Sequence, residues 1–81
     1  MRGIVKAESL SDAIRHGLDN GIEVLPIRKG QHGDEWHCNI NALCVEDVHQ
    51  WYTSHRYAKD SATGSYPMGT LLFFDFGLFS V

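Results

Sequence analysis

Six side chains in the middle of this 81-residue chain could ligate a metal or attack an electrophile: His32, His37, Cys38, Cys44, His49 and His55. Zinc takes four nitrogen or sulfur ligands in a tetrahedron, and its structural sites usually draw two of them from a tight pair such as C-x2-4-C. Here five residues separate Cys38 from Cys44, four separate Cys44 from His49, and no short pair is present. On a strand, His37 and Cys38 point to opposite faces, so they do not easily share one mononuclear site. The expectation is that no metal is bound and that Cys38 acts as a small buried hydrophobe. Neither cysteine is expected in a needed disulfide.

Nucleophilic catalysis needs Ser or Cys held against a base that a third group orients. There is no G-x-S-x-G, and Gly64-Ser65 lacks the strand–turn–helix frame such a nucleophile requires. Cys44 and His49, at i and i+5, face different sides of a helix. The carboxylate pairs Asp34-Glu35 and Glu46-Asp47 are sequence neighbours whose side chains diverge on a strand or a helix. No enzymatic activity and no cofactor are expected from these signals.

The elements that must position these groups follow from hydrophobic periodicity. Residues 3–7 read as a strand, 10–19 as a helix, 22–29 and 35–43 as strands, 45–56 as a second helix, and 70–81 as a last apolar strand. In order this is βαββαβ, a ferredoxin-like α+β fold. It predicts one domain spanning residues 1–81, with a four-stranded antiparallel sheet in the order 4-1-3-2 and both helices on one face. Ser9 is a good N-cap and Asn20-Gly21 a left-handed stop for the first helix. Pro26 places its strand at a sheet edge, and residues 30–34 read as a hairpin loop. The expected core is Leu10, Ile14, Leu18, Trp36, Cys38, Ile40, Val48, Trp51, Phe74 and Phe76. In the last strand, Leu72, Phe74, Phe76 and Leu78 are assigned to one face, and Leu71, Phe73, Asp75 and Phe79 to the other.

That fold hosts many functions, and several are excluded here. RNA-binding members carry aromatic and basic residues on the third strand; residues 35–41 read Glu-Trp-His-Cys-Asn-Ile-Asn. An anion-binding arginine loop after the first strand and a Cys-x-x-Cys are both missing. Formal charge is −3 with a pI near 5.9, and the seven Lys and Arg residues form no stripe, so direct nucleic-acid binding is not expected. No run is long and apolar enough to span a membrane, and residues 1–3 lack the apolar region of a signal peptide. The expected compartment is the cytoplasm.

Two surfaces remain that a core does not explain. One is the open sheet face, where His37, Asn39 and Asn41 are expected beside Lys6, Phe73, Asp75 and Phe79, a mixture suited to a protein interface. The other is the loop 57–69, rich in the Tyr, Ser, Gly and Asp of adaptable binding loops. Tyr57, Tyr66 and Phe73 are the candidate anchors. Asp34, Glu35, Asp47, Asp60 and Asp75 complete the candidate partner surface, and carboxylates there would favour approach to a basic surface.

The stretch from Gly3 to Ile14, with Ala7-Glu8-Ser9-Leu10 at its centre, followed by Gly21-Ile22-Glu23-Val24, resembles the openings of small phage-encoded proteins that disable host machinery, anti-CRISPR proteins among them. The resemblance covers the first third of the chain and carries over no functional residue. It implies a non-enzymatic protein, monomeric or homodimeric, that inhibits or modulates a bacterial protein or ribonucleoprotein complex in the host cytoplasm. That complex's basic, nucleic-acid-binding surface is a candidate contact. A ligand-sensing module that dimerises through its sheet is the alternative.

Overall fold

A computed structural model describes residues 1–55 and 59–75. The elements are β1 (Arg2–Lys6), α1 (Leu10–Asp19), β2 (Glu23–Lys29), β3 (Glu35–Asn41), α2 (Val45–Ser54) and β4 (Leu71–Phe74). The strands form one sheet in the order β2-β3-β1-β4, and every neighbouring pair is antiparallel. Read from the β4 edge, they run 4-1-3-2. Ala13 from α1 and Val48 and Trp51 from α2 join Val5, Ala7, Ile22, Val24, Cys38, Ile40 and Leu71 in one buried cluster.

Local chemistry sets the ends of α1. The Ser9 hydroxyl accepts from the Asp12 amide at 3.2 Å, satisfying one of the free N-terminal donors. At the other end Gly21 adopts φ +72°, and the Ile22 amide reaches back to the Gly17 carbonyl at 2.9 Å. This closes the helix through a left-handed glycine. The helix then packs on β2 through its smallest residues, Ala13 and Gly17. A Cβ at Gly17 would lie 2.9 Å from the Ile22 carbonyl oxygen and from Val24 Cβ, so only glycine permits this approach.

That packing corrects the expected core. Leu10 and Leu18 are 47% and 63% exposed, because the close seat of Ala13 and Gly17 turns their stripe onto the flank of α1. Ile14, Trp36 and Phe74 are half-buried, and Phe76 lies outside the described residues. Trp51 is the largest fully buried side chain, and its indole N–H donates to the Gly69 carbonyl at 2.8 Å.

Two irregularities change which residues face where. In the β1–β4 ladder Leu71 lies opposite Val5 and Phe73 opposite Ile4, with a register shift between Ile4 and Val5. Leu71 is therefore a core residue and Phe73 an outward one, whereas simple alternation places them on one face. In the β2–β3 ladder the shift falls between Pro26 and Arg28 and leaves Ile27 as the extra residue. Met1 and Ile40 exchange both backbone bonds, so Ile40 and Cys38 turn their backbones toward β1. Their neighbours Asn39 and Asn41 serve β2 through Leu25 and Glu23, which leaves the backbone groups of Val24 and Pro26 turned outward from the sheet edge while the Val24 side chain stays in the core.

Candidate functional site

The open face is assembled by cross-strand register. One row runs Leu25, Asn39 and Arg2; the next runs Arg28, His37, Ile4 and Phe73; a third pairs Glu35 with Lys6. Phe73 is 51% exposed, and Leu25 and Ile27 on the edge strand are 48% and 52% exposed. These apolar side chains stand among polar and charged ones. Glu23 is held by the Asn41 side-chain amide at 2.9 Å, and Asp75 accepts from the Arg2 amide at 3.4 Å. Among the described residues, Arg28, Glu35 and the Arg2 guanidinium enter no ion pair.

The structure divides the predicted surface into separate groups. Glu35, Phe73 and Asp75 belong to the open face. His37 neighbours Ile4 in place of Lys6, and Asn41 lies opposite Glu23, because the register offsets β1 from β3. Asp34 and Tyr66 meet at Lys6: its Nζ donates to the Tyr66 carbonyl at 2.7 Å and pairs with Asp34 at 3.5 Å. Lys59 stands 5.0 Å from the Tyr66 ring centroid. Asp60 shapes its own loop, accepting from the Ala62 amide at 2.8 Å in an Asx turn. Asp47 is exposed on the first turn of α2, beside Glu46, where the helix dipole favours both. Tyr57 and Phe79 lie outside the described residues.

Arg2, Ile4, Leu25, Ile27 and Arg28 complete the face and do not emerge from the sequence as site residues. Leu25 alternates with the buried Val24, so period-two reading of β2 finds it. Arg28 does not follow that rule, because the extra residue at 27 resets the alternation.

The cysteines and histidines are dispersed. Among the described residues no three His, Cys, Asp or Glu side chains stand close enough to hold a metal. Both cysteines are free thiols, Cys38 buried and Cys44 exposed. The Cys38 thiol donates to the Trp36 carbonyl at 3.3 Å, and burial pushes its pKa up to about 11, far from a reactive thiolate. His16 lies over Gly69, where a Cβ would be 2.8 Å from its Nδ1. Burial lowers its pKa, with Arg15 and His55 acting in the same direction and Asp12 and Asp19 opposing. No described helix is long and apolar enough to cross a membrane.

Comparison with protein-family models, with curated proteins and with solved structures returned no match.

Proposed function

We propose that this chain is a non-enzymatic interaction protein of ferredoxin-like βαββαβ build that works through its open sheet face. The supporting observation is that face itself, where Leu25 on one outer strand and Phe73 on the other are exposed and flank the polar and charged Arg2, His37 and Asn39 of the two central strands. Exposed apolar side chains that alternate with polar and charged ones across a sheet suit a protein interface. The fold assignment draws on the element order and the antiparallel neighbour relations. In keeping with the resemblance of residues 3–14 and 21–24 to the openings of small phage proteins, the partner is a bacterial macromolecular complex in the cytoplasm, whose activity the chain inhibits or modulates. The charges of that face with no ion pair among the described residues, Arg2, Arg28 and Glu35, make association salt-sensitive.

The test is capture of a bacterial complex by tagged protein, followed by dissociation measurements on the purified pair. A Leu25→Ser, Phe73→Ser double variant, with unchanged melting, is expected to bind at least about tenfold more weakly, as for loss of anchor residues. Replacing residues 59–65 with a Gly/Ser linker is expected to leave affinity nearly intact. The opposite pattern moves the contact to the loop and overturns the sheet-face reading.

A further inference from the structure

At the hairpin end of the open face lies a cleft of about 420 Å³ lined by Ile4, Arg28, Gly30, Gln31, Glu35 and His37. That volume is within the range of small-molecule sites, roughly 300–1,000 Å³. Glu35 and His37 are half-buried there, and neither side chain has a hydrogen-bond or ion-pair partner among the described residues. Arg28, directly across from His37 in the ladder, is likewise unpaired among them. A cation and an anion thus share one cleft without joining each other. Lys6, opposite Glu35, is already committed to Tyr66 and Asp34. Gly30 keeps the cleft open: a Cβ there would lie 2.8 Å from Glu35 Cβ and 3.1 Å from its Oε1.

We infer that this cleft binds a free α-amino acid with an apolar side chain. Arg28 and His37 take the carboxylate, Glu35 takes the ammonium with the Gln31 amide beside it, and Ile4 supplies an apolar wall that continues to Phe73. Glu35 and His37 are two residues apart on one strand face, so their side chains rise from backbone positions about 7 Å apart. An amino acid with a charge-assisted bond of about 2.8 Å at each end spans that gap. A simple anion meets Glu35, and a simple amine meets Arg28, so each half-ligand leaves one charge unmatched and faces a like one.

The experiment is an amide-resolved NMR titration of the free protein with leucine and phenylalanine, and with 4-methylpentanoate and isoamylamine as the half-ligands of leucine. Expected are saturable shifts centred on residues 28–37 for at least one amino acid, with both half-ligands weaker by about tenfold, the cost of one charge-assisted contact set. Arg28→Met and Glu35→Gln are each expected to weaken the amino acid by a similar factor. Absence of saturation at the solubility limit overturns the inference, as does 4-methylpentanoate binding as tightly as leucine, which would define a plain anion site. The half-ligand comparison uses the unmodified protein and does not depend on how the variants fold. No partner is present, so the outcome is independent of the interaction reading.

Discussion

On the covered face of the sheet, Val5, Val24, Cys38, Ile40 and Leu71 are sealed beneath two helices, at or below 1% exposure. On the other side of the same strands, the open face presents Ile4, Leu25, Phe73 and His37 among charges, several of which have no described counter-charge. Hydrophobic burial decides the first face, where a lost methylene is felt directly. On the second, unmatched polar groups are held near exposed apolar ones at little cost to folding. Stability and the proposed recognition are thus divided between opposite sides of four short strands.

The sharpest way to break this contrast is at Trp51. Trp51→Ala is expected to cost about 3–5 kcal/mol, a large share of what a chain of this size has available, roughly 0.05–0.15 kcal/mol per residue. Phe73→Ala is expected to cost no more than about 1 kcal/mol. Urea unfolding of both variants checks the difference, and similar losses would mean that the open face also carries the fold.

Next in size is the seat of α1. Gly17→Ala improves helix propensity by about 1 kcal/mol, yet it should destabilise by about 1–3 kcal/mol through overpacking against Ile22 and Val24. Leu18→Ala, at the very next position, should stay within about 0.5 kcal/mol. A more stable Gly17→Ala protein would refute the close approach.

Lys6→Met tests the tie that holds the hairpin and the loop 59–69 to the end of β1. Loss of a charged hydrogen bond and a partly screened ion pair is expected to cost about 1–2 kcal/mol. Hydrogen exchange should quicken first at Gly69 and Thr70, whose backbones bond around Lys6.

The smallest effect is a pH dependence at His16. Its folded-state pKa lies below the ordinary 6.5, so between those two values the unfolded chain binds more protons. Stability should therefore fall as pH drops through 6.5 toward the folded value and be independent of this group above it. Thermal melts across that window, compared with His16→Gln, should show a shallower slope in the variant.

What is legible in the sequence is local. Ser9, Asn20-Gly21 and the turn residues 30–34 set element ends by bonds to near neighbours, and Pro26 marks an edge because it lacks a donor. Trp51, Val48, Cys38 and Ile40 stand out by period. The side of α1 that meets the sheet is not legible, since an apolar stripe names Leu10 and Leu18 while steric fit chooses Ala13 and Gly17. Nor are the two bulges, which move Leu71 inward and Arg28 outward and depend on the partner strands. Glu35, Phe73 and Asp75 can be placed on the open face by alternation. Tyr66 and Asp34 cannot be joined in advance, because the link passes through Lys6, 60 residues from Tyr66.

The irregular edge at β2 bears on how copies of this molecule behave when crowded together. A straight edge offers a ladder of donors and acceptors onto which a foreign strand can zip, the first step toward fibrils. Pro26 turns its donorless nitrogen outward, and the bulge at Ile27 breaks the spacing of the backbone beyond it. An incoming strand finds too few evenly spaced amides to extend along this margin. The fold can therefore leave Leu25 and Ile27 exposed beside that edge while the backbone itself resists conversion into a template for amyloid-like growth.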